Sequence, residues 1–474
     1  MKTGVPTGLL TRERRLHFIG VGGAGMSGIA ELCKRLGFRV SGCDLRESDT
    51  TRRLASLGVE IEAGHHPGHL SPGLDAVVIS SAVKFSNPEV ERARELRVPV
   101  IPRAEMLGEL LRLAQVGIAV GGTHGKTTTT SLIGMVLEEA GLDPTVAIGG
   151  NLRSRGTNVR LGQGDFMVAE ADESDASFLL LLPTVAVVTN IDPEHLDYYG
   201  SMDRVQEAYL NFVNRVPFYG FSVLGIDNAT VRGLLPAVRK PSLTYGFTPE
   251  AEFRATDVNI EGLSTSFEVL HNGQRLGALT VPVPGHHVAL NALASTAVAL
   301  GLGVDFEHVR RALASFSGVS RRFELVGEAA GRLVLDDYAH HPEELKATLK
   351  AARAAFHRRI VAVFQPHRYT RTRDLFADFL GAFDLADRLY VLEVYSAGEE
   401  PMPGISGRRL YEALRARGHL DVHYLGEEPE PAAKVAAESA RGDLVVTLGA
   451  GDVYRIGEKL LELLASEADV HGRV

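Results

Sequence analysis

Short apolar runs recur along the chain, and most of them lead into a glycine-rich or polar segment and then into a helix-like stretch. Strands that alternate with helical patterns are typical of parallel sheets built from β–α units. The runs that we interpret as strands cover residues 16–19, 38–43, 76–81, 98–101, 115–120, 166–169, 184–189, 333–335, 360–364, 388–392 and 444–448. The segment from about 217 to 283 differs, because it is loop-rich and alternates apolar and polar residues at 264–269. The pattern therefore predicts an α/β protein.

Length and composition bound the number of domains and the class of protein. A chain of 474 residues is expected to hold about three domains. We place them at residues 1–108, 109–319 and 320–474, since the pattern changes near each boundary. The net charge of −9 argues against a nucleic-acid partner, and the presence of only two cysteines argues against a disulfide framework. The polar start of the chain and the lack of a long apolar run predict a cytoplasmic protein that does not enter a membrane.

One apolar run leads into a loop that is typical of nucleotide phosphate binding. The run at 115–120 is followed by GGTHGKTTTT at 121–130 and then by a helix-like stretch. Small residues let backbone N–H groups close around phosphates, the helix N-terminus and Lys126 add positive charge, and the Thr127 hydroxyl can hold Mg²⁺. Val120 stands where the usual loop has its first glycine, so the loop is short. The segment predicts a triphosphate site with magnesium.

A second glycine loop lies near the start of the chain. An apolar run enters Gly20-x-Gly22-x-x-Gly25, and a second strand ends at Asp44, about 20 positions further on. This is the fingerprint of dinucleotide binding, with a diphosphate on a helix N-terminus and a ribose or base on the acidic residue. Taken alone it predicts an NAD-dependent oxidoreductase, but a UDP-sugar has the same parts. Two phosphate-binding loops in one chain favour two phosphate-bearing substrates over a redox reaction.

Carboxylates and a histidine follow two strands of the central segment. EADESD at 170–175 contains four acids, and the next strand ends in NIDPEHLD at 190–197. Open α/β sheets bind ligands at the carboxyl ends of their strands, and an acid after a strand downstream of a phosphate loop is typical of a magnesium ligand. We predict that Glu170, closest to the strand end, is functional and that most of the other acids are solvated. His195 is a candidate because acids surround it.

Two polar clusters follow neighbouring strands of the third segment. DDYAHHP at 336–342 and QPHRYTRT at 365–372 each come directly after an apolar run. Both clusters are therefore expected at one edge of the same sheet. Arg368 and Arg371 can donate paired hydrogen bonds to a carboxylate or a phosphate, and the histidines beside them can bind substrate or relay protons. The clusters predict an anion-binding site.

The order of these motifs resembles that of the Mur ligases of peptidoglycan synthesis over essentially the full length of the chain. The motifs that carry the resemblance are the glycine loop at 20–28, GTHGKTTTT at 122–130, EADESDASF at 170–178, NIDPEHLD at 190–197, DDYAHHP at 336–342, FQPHRYTRT at 364–372 and VYSAGE at 394–399. The HRYTRT segment is more similar to the alanine-adding member of the family than to the member that attaches a recycled tripeptide.

The resemblance implies a fold and a reaction. The fold has an N-terminal Rossmann-like domain for a UDP-sugar, a central P-loop ATPase-type α/β domain and a C-terminal Rossmann-like domain for an amino acid. In the reaction the γ-phosphate of ATP passes to the lactyl carboxylate of UDP-N-acetylmuramate, L-alanine attacks the acyl phosphate, and Mg²⁺ is the cofactor. The enzyme would be a monomer or a homodimer. The alternatives are the tripeptide ligase of the same family and an NAD-dependent oxidoreductase.

The resemblance also implies roles for individual residues. The ATP site would contain Gly122, Thr123, His124, Gly125, Lys126, Thr127, Thr128, Asn291, Arg322 and Asp337. The UDP-sugar site would be lined by Gly22, Gly23, Gly25, Met26, Ser27, Asp44, His65, Ser80 and Ser81. The amino acid would lie among Tyr338, His340, Arg368 and Arg371. The catalytic residues would be Lys126, Glu170 and His195, and the metal ligands would be Thr127, Glu170 and His195.

Three departures from the family pattern affect these assignments. Several Mur ligases hold a second metal with a carbamylated lysine, but residues 191–220 contain no lysine, so His195 and carboxylates are expected to hold it. Val288 stands where the family often has an asparagine after the histidine, which leaves Asn291 as the better-supported ATP contact. His69 stands where relatives often have an asparagine near the uracil, which bears on the assignment of His65.

Overall fold

The computed structural model describes residues 14–80, 82–152, 157–418 and 421–471. These residues form two compact units. The first unit runs to Tyr245 and includes Ala294–Val309, and the second comprises Gly246–Leu293 and the chain from Arg310 onward. Parallel strands joined by helices form the main sheets of each unit.

The first sheet consists of the parallel strands β1 (Arg15–Ile19), β2 (Arg39–Asp44), β3 (Glu60–Ala63), β4 (Ala76–Ile79) and β5 (Val100–Pro102). Their order is β3-β2-β1-β4-β5. The helices are α1 (Ala24–Arg35), α2 (Asp49–Ser56), α3 (Pro88–Glu95) and α4 (Arg103–Leu113), and Pro67–His69 forms a 3₁₀ turn. Because Ile19 pairs with Cys43, the glycine loop after β1 and Asp44 at the end of β2 reach the same edge of the sheet.

The central sheet contributes seven strands to the first unit, namely β6 (Val116–Gly121), β7 (Thr145–Leu152), β8 (Thr157–Arg160), β9 (Phe166–Glu170), β10 (Val185–Val188), β11 (Phe221–Gly225) and β12 (Ser242–Gly246). Their order is β12-β11-β10-β6-β9-β7-β8, and all run parallel except β8. The helices are α5 (Lys126–Glu139), α6 (Leu196–Tyr199), α7 (Met202–Asn214) and α8 (Ala229–Leu234), with 3₁₀ turns at Ser177–Leu180 and Leu235–Ala237. Since β6 lies between β10 and β9, the segments that follow these three strands share one edge.

The second unit opens with three antiparallel strands, β13 (Phe253–Glu261), β14 (Ser264–His271) and β15 (Gln274–Val281). Along β14 the buried residues are Thr265, Phe267 and Val269, which is the alternation predicted from the sequence. The helices α9 (His286–Gly301) and α10 (Phe306–Ala314) follow along the chain.

The third sheet consists of β16 (Glu324–Ala329), β17 (Arg332–Asp337), β18 (Ile360–Phe364), β19 (Arg388–Val391), β20 (Val422–Tyr424) and β21 (Leu444–Leu448). Their order is β16-β17-β21-β18-β19-β20, and all run parallel except β16. The helices are α11 (Pro342–Ala355), α12 (Tyr369–Asp374), α13 (Phe376–Phe379), α14 (Gly407–Arg417), α15 (Pro431–Glu438) and α16 (Tyr454–His471). Because β17 and β18 each pair with β21, their carboxyl ends lie close together.

The core of this sheet lies on both of its faces. Leu335 and Phe364 belong to one hydrophobic cluster, whereas Val334 and Val363 belong to another. Successive side chains of a strand point to opposite faces, so the two clusters flank the sheet. Burial on both faces explains why these strands read as continuous apolar runs in the sequence.

The predicted α/β fold is confirmed, with small differences at the strand ends. The run at 333–335 is longer than expected, because Asp336 and Asp337 pair with Thr447 and Leu448 and so belong to β17. In the ranges that the structure describes, we find no helix of the length and apolarity needed to cross a membrane.

Candidate functional site

The loop between β6 and α5 is a tight turn that only glycine fits. Gly122 and Gly125 have φ values of 133° and 81°, which glycine adopts readily. A Cβ on Gly122 would come within 1.9 Å of the Thr189 hydroxyl oxygen, so the segment after β10 also excludes a side chain here. Helix α5 begins after Gly125 without a side-chain cap. Uncapped N–H groups and the helix dipole together favour a bound anion.

Hydrogen bonds hold this phosphate loop to the segment that follows β10. The backbone N–H of His124 donates to Asn190 Oδ1 at 2.8 Å, and the Thr189 hydroxyl donates to the His124 carbonyl at 2.6 Å. The backbone N–H of Asp192 donates to the Thr123 hydroxyl at 2.9 Å. The loop is therefore preorganised by its own neighbours, as electrostatic catalysis requires.

Lys126 is folded back over the phosphate loop. Its Nζ donates to the carbonyls of Gly122 and Thr123 at 2.6 and 3.1 Å, and to Glu173 Oε1 at 2.9 Å. Burial acts to lower the pKa of Lys126, but the carboxylates of Glu173 and Glu170 outweigh it and hold that pKa above its usual range. The side chain therefore carries a full positive charge beside the loop.

Thr127 and Glu170 meet at the base of the loop. Thr127 Oγ1 donates to Glu170 Oε2 at 2.9 Å, and the backbone N–H of Gly149 donates to the same oxygen at 2.7 Å. A hydroxyl and a carboxylate beside a triphosphate site form the oxygen donor set that Mg²⁺ prefers. Thr128 follows on α5 and is half-buried.

A second group of possible metal ligands lies next to Lys126. One ligand atom from each of Glu173, Glu194 and His195 lies within 4.8 Å of the other two. In the part of the chain that the structure describes, the buried Oε2 of Glu173 has no hydrogen-bond partner. Burial raises the pKa of Glu173 to about 7, an effect that Lys126 opposes and that Asp172 and Glu194 reinforce. A cation in this group would supply the missing partner.

The expectation that the acids after Glu170 are mostly solvated is wrong for Glu173. Glu173 is only 4% exposed, and its carboxylate pairs with Lys126 at 2.9 Å. Asp172 is exposed as expected, and it pairs with Arg103 at 3.1 Å. Sequence reasoning missed Glu173 and also Glu194. Their positions within the motifs that contain Glu170 and His195 are the signal that could have identified them.

The glycine loop after β1 lines a cavity of about 660 Å³. The backbone N–H of Gly22 donates to Asp44 Oδ2 at 2.8 Å, and a Cβ on Gly22 would come within 2.9 Å of the same oxygen. Helix α1 begins after Gly23 without a side-chain cap, so its N-terminus is suited to a diphosphate. The predicted UDP-sugar residues in the lining are Gly22, Gly23, Asp44, His65 and Ser80.

The other predicted UDP-sugar residues are placed differently. Met26 and Ser27 lie on α1 with 2% and 3% of their surface exposed, and neither belongs to the lining of this cavity. Both side chains are therefore buried, and the backbone N–H of Ser27 donates to the Gly23 carbonyl at 2.8 Å. Gly25 lines a neighbouring cavity, and Ser81 lies outside the described residues.

This neighbouring cavity, of about 190 Å³, lies where α1 meets the phosphate loop. Its lining includes Gly25, Lys126 and Glu170. Arg103 and Asp172, which pair with each other, also line it. Since Gly25 belongs to the first glycine-rich segment and Lys126 to the second, residues of both segments line one cavity within the first unit.

Asn291 and Arg322, which the sequence predicts to contact ATP, belong to the second unit. Asn291 lies on α9 and is 6% exposed. Arg322 lies 3.8 Å from Glu344, and its guanidinium stands 5.1 Å from the centroid of the Tyr338 ring. The structure thus places Arg322 beside the DDYAHHP motif.

Asp337 is buried in the same region. Its two oxygens accept the backbone N–H groups of Phe323 and Ala339 at 2.8 and 2.7 Å. Burial raises the pKa of Asp337 to about 6, although Arg322 and both backbone bonds oppose the shift. Asp337 therefore orders the chain on either side of it, and any contact with a nucleotide would share these oxygens.

The two polar clusters of the third segment meet at one edge of the sheet, as expected. The ring centroids of His340 and His367 lie 5.7 Å apart. His340 Nδ1 lies 2.9 Å from the carbonyl oxygen of Tyr338, so this nitrogen carries a proton. The Tyr338 and His340 rings pack edge to face at 5.4 Å.

His367 is a neutral support for one of the arginines. An Nη nitrogen of Arg371 donates to His367 Nδ1 and to the His367 carbonyl, both at 3.2 Å. Arginine can only donate, so Nδ1 accepts and the ring proton sits on Nε2. Burial lowers the pKa of His367 to about 3, with His340 and the arginines adding to the effect. His367 is not among the residues that the sequence predicts around the amino acid, although it belongs to the HRYTRT motif.

Arg368 has an unusual backbone and an unsatisfied side chain. Its φ of 68° is rare for a residue with a Cβ, and such strain is common at binding sites. Among the described residues its buried Nε has no hydrogen-bond partner. A buried donor without a partner costs stability, so an anion is the expected partner.

Three family models match consecutive parts of the chain. They are described as Mur ligase family, catalytic domain (residues 15–115), Mur ligase middle domain (120–299) and Mur ligase, glutamate ligase domain (321–451). A UDP-N-acetylmuramate–L-alanine ligase of Geobacter sp. (strain M21) is 53% identical over 448 residues, which cover 94% of this chain and 97% of that protein. The chain belongs to the Mur ligase family. This confirms the family predicted from the motifs.

Further Mur ligases are similar to this chain over most of their length. A UDP-N-acetylmuramate–L-alanine ligase of Anaeromyxobacter sp. (strain Fw109-5) is 53% identical over 96% of this chain and 98% of its own length. The crystal structure of a UDP-N-acetylmuramate-alanine ligase from Thermotoga maritima matches with a TM-score of 0.81 at 30% identity, covering 96% of this chain and 99% of that one. A murein peptide ligase from Psychrobacter arcticus matches with a TM-score of 0.69 at 26% identity, covering 95% and 99%. Mur ligases depend on ATP, so this chain is an enzyme with ATP as co-substrate.

Proposed function

We propose that this Mur ligase joins L-alanine to the lactyl carboxylate of UDP-N-acetylmuramate in peptidoglycan precursor synthesis. The observation that carries the proposal is the cavity of about 190 Å³, whose lining includes Lys126 and Glu170 together with Gly25 of the first glycine-rich segment. A triphosphate and a carboxylate are both anionic, and they react only where a cation holds them together. The shared name of the relatives at 51–53% identity supports L-alanine over the tripeptide.

Phosphorylation turns a poor acyl donor into a good one. A lactyl carboxylate oxygen attacks the γ-phosphorus of ATP, the bond to the bridging oxygen breaks, and ADP leaves. The neutral amine of L-alanine then attacks the acyl carbon, and the bond from that carbon to the phosphate oxygen breaks. The products are the amide, ADP, inorganic phosphate and a proton. The protein contributes positioning and electrostatic stabilisation.

Lys126 is the residue that we place at the transferring phosphoryl group. Two of its present acceptors, the carbonyls of Gly122 and Thr123, are neutral, so an oxygen of the phosphate can replace them at little cost. Glu173 keeps the ammonium charged and aimed at the loop. The charge is therefore in place before the phosphate becomes more negative in the transition state.

Mg²⁺ fits two groups of residues beside Lys126. Thr127 and Glu170 would hold one ion through oxygen atoms, and the buried unpartnered oxygen of Glu173 indicates a second position with Glu194 and His195. When bound, Mg²⁺ supplies positive charge that screens the phosphates from the incoming carboxylate.

The second unit would supply the amino-acid site. Arg368 and Arg371 would hold the carboxylate of L-alanine, because guanidinium groups match a carboxylate with paired hydrogen bonds. Tyr338 and His340 would stand beside the amine. The remaining ATP contacts would be Asn291, Arg322 and Asp337, and the UDP-sugar contacts would be Gly22, Gly23, Gly25, Met26, Ser27, Asp44, His65, Ser80 and Ser81.

The domain limits 1–108, 109–319 and 320–474 belong to the same proposal. The family models change over at residues 115 to 120 and 299 to 321, close to these limits. We also propose that the enzyme works in the cytoplasm, where ATP and UDP-sugars are made, as a monomer or a homodimer.

A competition assay tests the function. The enzyme is incubated with UDP-N-acetylmuramate, ATP, Mg²⁺ and equal amounts of L-alanine, L-serine, glycine and the murein tripeptide, and the UDP product is weighed by mass spectrometry. We expect the L-alanine adduct, with ADP and phosphate formed in equal amounts and only when both substrates are present. A tripeptide adduct in excess, or oxidation of NADH without ADP release, would overturn the proposal.

A further inference from the structure

A buried carboxylate under the first sheet is surrounded by a thiol and imidazoles. The side chain of Glu89, at the start of α3, is fully buried. Its Oε2 lies 2.9 Å from Cys43 Sγ and 3.2 Å from His17 Nε2. Its Oε1 lies 2.8 Å from His69 Nδ1 and 3.8 Å from His65 Nδ1. Residues from four separate parts of the chain thus converge on one carboxylate.

The partners of Glu89 are a thiol, a backbone N–H and imidazoles. Cys43 Sγ and the His66 backbone N–H donate to its two oxygens at 2.9 Å each. Within the described ranges, its hydrogen-bond and ion-pair partners include no lysine or arginine. A buried carboxylate without a cation is costly. A metal cation at this cluster would supply a permanent positive charge.

The donors suit a borderline-soft divalent cation. One ligand atom from each of His17, Cys43 and Glu89 lies within 4.8 Å of the other two, and His65 Nδ1 lies 3.3 Å from the thiol sulfur. A tetrahedral Zn²⁺ with bonds of about 2.0–2.3 Å keeps its ligand atoms roughly 3.3–3.6 Å apart. A thiolate with imidazoles selects Zn²⁺ over Mg²⁺.

We propose that this cluster is a structural Zn²⁺ site. The ligands are Cys43 Sγ, His17 Nε2 and one oxygen of Glu89, and His65 Nδ1 completes the tetrahedron. The site lies in the first sheet and shares no residue with the carboxylates beside Lys126, which suit Mg²⁺.

Groups around the cluster are placed to orient these ligands. Ser41 Oγ lies 2.9 Å from His17 Nδ1 and can accept a hydrogen bond from its N–H group, which leaves Nε2 for the metal. His69 and the backbone N–H of His66 hold the other oxygen of Glu89. The metal would therefore fix the segment from 65 to 69, part of which lines the cavity of about 660 Å³.

The protons balance on binding. In the metal-free structure Cys43 Sγ donates a hydrogen bond to Glu89 Oε2 at 2.9 Å, so the site holds a thiol. Zn²⁺ displaces the proton of that thiol, and His17 binds the metal through Nε2. One proton is released per ion, so affinity increases with pH. His65 is partly exposed to the cavity and marks the path of entry.

The test uses the full chain, stripped with a chelator and titrated with Zn²⁺ and with Co²⁺ in excess Mg²⁺. We expect one ion per chain, one proton released, and thiolate-to-cobalt charge-transfer absorption in the near ultraviolet. Cys43→Ser should abolish this absorption and weaken Zn²⁺ binding by more than the roughly 10–100-fold that loss of an outer-shell partner causes. Cys33→Ser replaces the other buried cysteine and should change neither the thiolate absorption nor the affinity for Zn²⁺.

Several results would overturn the proposal. The absence of tight binding or of the thiolate absorption in the wild-type chain would do so without any variant. Equal effects of the two cysteine substitutions would also overturn it. If circular dichroism shows that Cys43→Ser does not fold, Glu89→Gln replaces it in the test. Zn²⁺ binding by Glu89→Gln that is as tight as binding by the wild-type chain would then overturn the proposal. These measurements do not involve ligase activity, so they are independent of the proposed function.

Discussion

The two cationic regions of this Mur ligase treat their positive charge in opposite ways. In the first unit, Lys126 is already paired with Glu173 at 2.9 Å, and Glu170 stands close enough to affect its pKa. In the second unit, Arg371 rests on the neutral ring of His367, and the buried Nε of Arg368 has no partner among the described residues. The first region pairs its cation with a carboxylate of the protein, whereas the second leaves one guanidinium nitrogen, Nε of Arg368, without a partner among the described residues.

The difference matches the ligands that we propose. ATP arrives with metal ions, so the first region needs carboxylates for the metal as well as a lysine for the phosphate. The carboxylate of L-alanine arrives without a metal, so guanidinium groups, which donate paired hydrogen bonds to a carboxylate, suit it better. The same physical rule explains both arrangements, because a buried charge is stable only with a partner.

The largest expected effect comes from Lys126→Met. Loss of the ammonium should reduce kcat by roughly 10³-fold or more, the range seen for removing a preorganised charge from a phosphoryl-transfer site. It should also destabilise the protein by about 1–3 kcal/mol, because buried Glu173, whose pKa is already about 7, loses its partner and takes up a proton. ADP release and urea denaturation measure the two effects.

A double variant separates these effects. Lys126→Met with Glu173→Gln should recover much of the stability, since no carboxyl group is then buried without its partner, but none of the activity. A Lys126→Met protein as stable as the wild type would show that Glu173 is not neutralised by Lys126. That result would remove the contrast between the two regions.

Arg371→Lys tests the second region. Lysine keeps the charge but loses the planar fork, so KM for L-alanine should rise by about 10–100-fold, equivalent to one or two charge-assisted hydrogen bonds. KM for ATP should stay unchanged. Arg373→Lys is the matched control, because Arg373 is half-exposed and pairs with Asp374. Equal increases for both variants would contradict a carboxylate site at Arg371.

Asp44→Asn should have a smaller effect, on UDP-N-acetylmuramate alone. The amide oxygen can still accept from the Gly22 backbone, but a neutral acceptor binds a ligand hydroxyl more weakly by about 1 kcal/mol, or roughly fivefold in KM. Asp49→Asn, at a fully exposed site, is the control. An equal increase in KM for ATP would contradict the assignment of Asp44 to the UDP-sugar site.

The smallest effect is expected from His367→Asn. Because burial lowers the pKa of His367 to about 3, the ring is neutral throughout roughly pH 5–8 and contributes no titration there. Asparagine can still accept from Arg371, so KM for L-alanine should rise less than about fivefold. The pH profile should keep its shape. A limb near pH 6 that disappears in the variant would show that His367 is protonated in the working enzyme.

Local motifs explain why much of the site could be predicted from the sequence. The phosphate loop with Lys126 and Thr127 needs only consecutive residues between a strand and a helix, and Glu170 follows from its place at a strand end. The two arginine-bearing and histidine-bearing clusters were expected at one sheet edge, which the 5.7 Å between the His340 and His367 rings confirms. The roles of all these residues in catalysis and binding stay predictions.

The remaining features of the site could not be predicted from the sequence, because they depend on partners that are distant along the chain. Glu173 looked like one of several solvated acids, but it lies 47 positions from Lys126 and is buried against it. His367 looked like a possible proton relay, but an arginine donor and burial make it a neutral support. Burial and partner determine the charge of a group, and neither can be read from neighbouring residues.

The sequence by itself determined the α/β fold, the two phosphate-binding loops and the Mur ligase family, because glycine spacing and apolar runs act over a few residues. Only the tertiary structure decided which charges meet. It paired Lys126 with Glu173, and it brought His17 and Glu89 together across 72 positions with Cys43 between them in sequence. The physical reason is that sheet order sets such contacts, and pKa and metal affinity depend on distances that exist only in the folded chain.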